Sequence, residues 1–120
     1  MKNKFYALFA TVVLMISCKS QVLVRFTNVS NEDYKKLKVG VLKKEFEFVN
    51  LKSGQSTEFV KVDSTYSYCY VKLFTEKDTI WQIPYDYTGE KLYKSGKLNI
   101  KINIVSREKK KRDLDINGVR

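Results

Sequence analysis

Few side chains in this 120-residue chain could carry out chemistry, and histidine is not among them. Without histidine, most routes to zinc binding and to Ser–His–Asp or Cys–His catalysis are closed. Cys69 is a candidate nucleophile, but it lies in a predicted strand between Tyr68 and Tyr70, with no evident base. We interpret Cys69 as a small buried hydrophobic residue. We expect a non-enzymatic protein without catalytic residues, metal or cofactor.

Residues 84–90 combine aromatic and acidic side chains in a predicted long loop. Tyr85 and Tyr87 could stack on a sugar or peptide, and Asp86 and Glu90 could accept hydrogen bonds. A carboxylate pair could also indicate glycoside hydrolysis, but four residues of separation on one loop is weak evidence for an opposed acid and base. The ordinary interpretation is a structural loop with turn-capping side chains. We retain these four residues as a candidate ligand loop.

Two charged stretches near the end of the chain could suggest ion binding. Residues 113–118 match the opening of a calcium-binding EF-hand loop, but the glutamate that completes such a loop would fall beyond Arg120. Leu114 and Ile116 alternate with acids, so we predict an edge strand that ends in an Asn-Gly turn.

Residues 107–112 hold the densest positive charge. Lys109, Lys110, Lys111 and Arg112 could contact an anionic surface, but a solvated hairpin tip is the interpretation we favour.

The first 17 residues have the pattern of an export signal. Lys2 and Lys4 precede a run over residues 5–16 that contains no charge. That run is shorter than the roughly 20 residues needed to span a hydrocarbon core of about 30 Å. The pattern predicts a cleaved signal peptide rather than a membrane-spanning helix.

The end of this signal resembles the lipobox of bacterial lipoproteins. Leu14, Met15, Ile16 and Ser17 precede Cys18, with Met15 at the position where leucine is usual. The resemblance implies cleavage between Ser17 and Cys18 and attachment of a diacylglyceryl group to the Cys18 thiol. Two acyl chains hold a protein firmly on a membrane without a spanning segment. Ordinary signal cleavage with an unmodified Cys18 is the alternative.

Composition describes one small, basic domain after the signal. Removing Lys2 and Lys4 with the signal lowers the net charge from +10 to +8. Lysine-rich charge on an exported protein favours envelope partners, such as anionic lipid, acidic glycan or an envelope protein, over nucleic acid. Solubility alone would also explain the charge. With Cys18 lipidated, Cys69 has no disulfide partner and should be buried.

Hydrophobic residues alternate with polar ones along most of residues 22–120. We predict strands over 22–27, 37–41, 46–48, 57–62, 66–74, 79–83, 98–104 and around 114–116. Seven to eight short strands and no convincing helical period predict an all-β, antiparallel β-sandwich. A closed barrel is the alternative, because periodicity cannot show closure. A short helix could form only near 31–36 or within 85–96. The organisation is therefore signal peptide 1–17, lipidated cysteine and tether 18–21, and domain 22–120.

The Cys18 lipobox and several short motifs resemble a group of small uncharacterised lipoproteins of the Bacteroidetes type. These motifs are residues 24–30, 51–56, 84–90 and 95–97. The resemblance implies an immunoglobulin-like sandwich and no known activity. In that group, acidic residues after the lipidated cysteine usually accompany surface export, and here Lys19, Ser20 and Gln21 follow. We therefore expect the periplasm-facing leaflet of the outer membrane.

The sequence favours two functions, and an enzyme that uses Asp86 and Glu90 is the third option. One is a membrane-anchored, non-enzymatic envelope binding or support module. The other is a periplasmic inhibitor or immunity protein that blocks a secreted toxin or hydrolase through its loops.

Overall fold

A computed structural model describes residues 21–83, 90–107 and 111–120. The predicted signal, Ser17, Cys18, most of the 84–90 loop, Lys109 and Lys110 lie outside the described residues. The described chain folds into eight strands: β1 (Val22–Asn28), β2 (Tyr34–Val41), β3 (Lys44–Leu51), β4 (Val60–Val62), β5 (Tyr70–Phe74), β6 (Thr79–Gln82), β7 (Gly96–Ser106) and β8 (Arg112–Val119). Within this part of the chain, no helix has the length and hydropathy that crossing a membrane requires.

The eight strands form two four-stranded sheets, which confirms the all-β prediction. One sheet, sheet A, has the strand order β4-β1-β7-β8, and the other, sheet B, has the order β3-β2-β5-β6. The two sheets enclose one hydrophobic core, an arrangement compatible with a β-sandwich. The prediction of a fully antiparallel architecture is wrong in one ladder, because β1 and β7 run parallel.

Alternation of side chains along each strand explains why the core forms. In β1, Val22, Val24 and Phe26 are fully buried while the residues between them are partly exposed. Because successive side chains point to opposite faces of a strand, one face of each sheet is apolar. Burial of these apolar faces provides the main stabilisation of the fold. The other apolar strand residues that are at most 2% exposed are Tyr34, Leu37, Val39, Val41, Val62, Val71, Leu73, Leu98, Ile100, Ile102 and Leu114.

Several predicted elements differ from the structure in extent or type. The predicted strands over 57–62 and 66–74 shorten to β4 and β5. The short helix that the sequence allowed near 31–36 does not form, because Asn28 and Ser30 fold the chain into a hydrogen-bonded bend and β2 begins at Tyr34. The predicted turn at Asn117 and Gly118 is also wrong, because both residues continue β8 beside β7.

The two ends of the sheets can be named from β1 and β8. At the Arg112 end, β1 finishes at Asn28, which pairs with Ile102, and β8 starts at Arg112. The Tyr34 hydroxyl donates a hydrogen bond to the Ile102 carbonyl oxygen at 2.7 Å, so β2 begins at this end. β2 then runs to the opposite end, where β1 starts. We call that opposite end the Val22 end.

Candidate binding site

The solvent side of sheet B carries lysines and aromatic rings on three neighbouring strands. Lys38 in β2 pairs with Lys72 in β5, which pairs with Trp81 in β6. In the adjacent row, Lys36 of β2 pairs with Phe74 of β5. Directly paired residues in a sheet bring their side chains close together on the same face. The register therefore gathers a surface, which we call the lysine–aromatic face, made of Lys36, Lys38, Lys72, Phe74 and Trp81.

Each lysine of the lysine–aromatic face lies over a ring. The Lys72 ammonium is 4.9 Å from the Trp81 ring centroid and 5.4 Å from that of Phe74. The ammonium groups of Lys36 and Lys38 lie 5.7 and 6.0 Å from the Phe74 centroid. These distances fall within the range of cation–π attraction. The contacts hold three positive charges beside two apolar rings.

Part of this charge is already balanced within the sheet. Glu47 in β3 forms an ion pair of 3.2 Å with Lys36, and both side chains are more than 40% exposed. An exposed pair of this kind contributes little to stability and can exchange partners readily. Lys38 and Lys72 are the more available cations for an incoming anion. Lysine stems also cover the rings, so shielding of apolar surface is the structural role of the same contacts.

Trp81 is the most exposed ring of this face. The residue is 61% exposed, although tryptophan usually buries most of its large apolar area. An indole flanked by an ammonium group can stack on a flat apolar surface while the cation pairs with an acidic group. The face can therefore bind a ligand that combines apolar faces with negative charge.

A second charged cluster lies at the Arg112 end and involves a residue of the predicted anionic-surface patch. Arg112 makes two hydrogen bonds to the Glu32 carboxylate, at 2.6 and 3.1 Å. It also donates to Asp78 at 3.2 Å, and its Nε lies 3.0 Å from the second Asp78 oxygen, in ionic contact without hydrogen-bond alignment. The hydrogen bond to Glu32 is the main reason that the Arg112 pKa is raised, with Asp78 adding to the effect.

The location of these partners gives the Arg112 cluster a structural role. Glu32 precedes β2, Asp78 lies in the β5–β6 hairpin, and Arg112 begins β8, so the cluster connects the two sheets. Arg112 is therefore engaged with two carboxylates of its own chain. Of the other members of the predicted patch, Lys111 is exposed at the same end, and Lys109 and Lys110 lie outside the described residues.

Cys69 occupies the buried position that the sequence predicts. It is 2% exposed, and burial raises the pKa of its thiol to about 12. A thiol with so high a pKa holds almost no thiolate at neutral pH, and the thiolate is the nucleophile. The finding agrees with a packing role for Cys69.

The remaining predicted site residues are placed only in part. Glu90 is exposed, and Tyr85, Asp86 and Tyr87 lie outside the described residues. The EF-hand-like segment forms β8, an edge strand as predicted, in which Asp113 pairs with Arg107 at 2.7 Å. In the part of the chain that the structure describes, no group of three acidic, cysteine or histidine residues is arranged to hold a metal ion.

Sequence reasoning did not identify the lysine–aromatic face. The signal for it was the polar side of the alternation, where Lys36 and Lys38 on one strand and Lys72 and Phe74 on another share a parity. Their meeting depends on β2 lying between β3 and β5, which periodicity within a strand does not show.

Comparisons with known protein families, with curated proteins and with solved structures find no match to this chain.

Proposed function

We propose that this protein is a lipid-anchored module of the bacterial envelope that binds an acidic glycan through the lysine–aromatic face, without catalysing a reaction. Exposure of Trp81 beside Lys72 is the observation that carries the proposal. Sugar rings present apolar faces that stack on indole and phenyl rings, and their carboxylates would pair with Lys38 and Lys72. The proposal thus accounts for both the rings and the charges.

The anchor in this proposal rests on the sequence before Val22. The charge-free run over 5–16 and the lipobox ending at Cys18 support export, lipidation and a periplasm-facing position on the outer membrane. Two four-stranded sheets around one core are compatible with the immunoglobulin-like sandwich that the family resemblance implies. Burial of Cys69 and the lack of histidine in the sequence support a non-enzymatic role.

The anchor is tested by intact-mass measurement of the protein from the membrane fraction, with Cys18→Ser as the comparison. We expect acyl mass on the wild-type protein and none on Cys18→Ser, which should leave the membrane fraction while its domain stays folded. Wild-type protein without acyl mass in the soluble periplasm would contradict the lipoprotein assignment.

The binding surface is tested with polygalacturonate as the acidic glycan. We expect Lys72→Gln and Trp81→Ala each to weaken binding, because each removes one component of the paired contact. Lys101→Gln is the matched control, since Lys101 is an exposed lysine on the solvent side of sheet A. Equal weakening by Lys72→Gln and Lys101→Gln would show that only net charge matters, and the proposed face would be wrong.

A protein partner is the second candidate, and the same face favours it. Exposed tryptophan with neighbouring aromatic residues is typical of the energetic centre of protein interfaces. An inhibitor or immunity protein would bind one toxin or hydrolase in a fixed ratio. Isolation of such an enzyme in stoichiometric complex, with the complex lost in Trp81→Ala, would favour this function over glycan binding.

A further inference from the structure

The β2–β3 hairpin places an apolar side chain at a strained and exposed tip. Its two loop residues are Leu42 and Lys43, between Val41 and Lys44, which pair with each other. Leu42 adopts a φ of 52° and is 46% exposed. Glycine or asparagine adopts this left-handed conformation at lower cost, and a polar residue would suit the exposure better. Folding of the hairpin therefore does not explain the leucine.

Leu42 lies at the Val22 end, together with a second exposed apolar residue. It lines an open groove of about 1070 Å³ whose wall includes Val62, the β4 residue that pairs with Val22. Ile83 lines the same groove and is 59% exposed. Two large aliphatic side chains thus face solvent at the end where the chain enters the domain.

Two lysines line the groove beside these apolar side chains, and further basic residues lie at the same end of the domain. Lys43 and Lys44 follow Leu42 directly and are exposed. Arg120 lies at the same end, where it donates a hydrogen bond to the Ser95 carbonyl oxygen at 3.1 Å, next to the exposed Lys94. The acids that line the groove are Glu45 and Asp63. Exposed aliphatic groups flanked by lysines match the boundary between anionic lipid head groups and acyl chains.

The distance from the lipidation position fixes which end meets a membrane. Val22 follows Cys18 by four residues. Four residues span at most about 14 Å when fully extended, at 3.3–3.6 Å each. A lipid on Cys18 would therefore hold the Val22 end, and not the Arg112 end, against the bilayer surface.

We propose that the Val22 end docks on the anionic bilayer that holds the Cys18 acyl chains, with Leu42 inserted at the level of the head groups. Lys43 and Lys44 then contact lipid phosphates, each contributing about fivefold to docking. This inference rests on the proposed lipid anchor. Docking at this end points the strands away from the bilayer and leaves the lysine–aromatic face open to the periplasm.

The test uses full-length lipidated protein in vesicles of phosphatidylethanolamine and phosphatidylglycerol, with an environment-sensitive fluorophore on Leu42→Cys. Val29→Cys is the matched control, because Val29 is 43% exposed in the loop that follows β1 at the Arg112 end. Wild-type protein should not label, since the Cys18 sulfur is alkylated and Cys69 is buried. Lys43→Cys provides a second attachment point if Leu42→Cys does not fold.

We expect the probe at 42 or 43 to emit at shorter wavelength on vesicles and to be quenched by brominated lipids, while the probe at 29 keeps its emission in water. Replacing phosphatidylglycerol with phosphatidylcholine should reduce the shift. If acyl mass is present and the probes at both ends behave alike, docking is refuted and the lipid anchor stands. If no acyl mass is found, the anchor and the docking proposal are both wrong.

Discussion

The Arg112 end of the domain buries hydrogen-bonded polar groups, whereas the Val22 end exposes apolar side chains to solvent. At the Arg112 end, buried or half-buried polar side chains of Asn28, Tyr34 and Arg112 bond across loops and between sheets. At the Val22 end, Leu42 and Ile83 expose apolar surface beside lysines. The Arg112 end therefore stabilises the fold, and the docking proposal assigns contact with the bilayer to the Val22 end. Substitutions at the two ends should therefore separate stability from membrane contact.

Asn28 should show the largest effect on stability. Its side chain is fully buried, donates to the carbonyl oxygens of Glu32 and Leu51 at 2.7 and 3.0 Å, and accepts from the Ser30 amide and hydroxyl at 3.0 and 2.7 Å. Because Asn28→Ala leaves several buried groups without partners, we expect a loss of about 3 kcal/mol in the free energy of unfolding. Urea denaturation measures this loss.

The neighbouring Asn31→Ala is the control for Asn28. Asn31 is exposed in the same loop, so its removal should change the free energy of unfolding by less than about 0.5 kcal/mol. Equal effects of the two substitutions would contradict the role assigned to the buried network.

Arg112→Met should have the next largest effect. The substitution removes the cation between Glu32 and Asp78 and leaves two carboxylates near each other at the edge of the core. The Arg112 side chain is 24% exposed, so the loss should be about 2 kcal/mol, below that of a fully buried pair. Thermal and urea unfolding would measure it.

Arg107→Met is the matched arginine control for the Arg112 cluster. Arg107 pairs with Asp113, but its side chain is 58% exposed. A solvent-exposed pair contributes about 0–1 kcal/mol. If Arg107→Met costs as much as Arg112→Met, the connection between sheets is not what makes Arg112 important.

Tyr34, at the Arg112 end, should make the stability of the fold depend on pH in the alkaline range. Burial raises the pKa of Tyr34 from 10.0 to about 12, against a lowering contribution from the hydrogen bond with Ser30. The folded state therefore disfavours the phenolate, so the stability contributed by the neutral hydroxyl is complete below pH 10 and is lost as the pH rises toward 12. Tyr34→Phe should cost about 1 kcal/mol at neutral pH, because it removes the hydrogen bond to Ile102.

Unfolding of the wild type and of Tyr34→Phe at several pH values measures this dependence. The difference in unfolding free energy between them should shrink as the pH rises above 10. A difference that stays constant to pH 12 would contradict the assignment of the alkaline loss to Tyr34.

The sequence predicted the strands better than the contacts between them. Alternation is local, so Val22, Val24 and Phe26 identified a core face directly. In contrast, Arg112 lies 80 residues from Glu32 and 34 from Asp78, and no local pattern joins them.

The backbone at Gly118 is a second feature that a local sequence pattern could not predict. A Cβ added at this residue would lie 2.5 Å from the Ser67 carbonyl oxygen and would clash with it. Glycine therefore allows the two chain segments to approach closely. Its neighbour Asn117 made a turn the natural prediction from the sequence. Only the tertiary packing of Ser67 against Gly118 explains why the strand continues through it.

Leu42→Gly should have the smallest effect on stability and should act in the opposite direction. Removing the left-handed leucine should raise the free energy of unfolding by about 1–2 kcal/mol. The greater conformational freedom of glycine in the unfolded chain lowers that gain by about 0.5–1 kcal/mol. We expect a net gain of about 0.5 kcal/mol in the free energy of unfolding, measured by urea denaturation. The converse substitution, Gly54→Ala, places a side chain at a φ of 81° and should destabilise the protein.

The same Leu42→Gly variant separates the two ends. With a probe on Lys43→Cys, it should lose most of the emission shift on vesicles, because the inserted aliphatic group is gone. If the variant is at least as stable as the wild type but docks less well, Leu42 contributes to membrane docking and not to folding stability. If Leu42→Gly instead destabilises the fold and leaves the shift unchanged, Leu42 serves packing of the hairpin, and the contrast between the two ends fails at this residue.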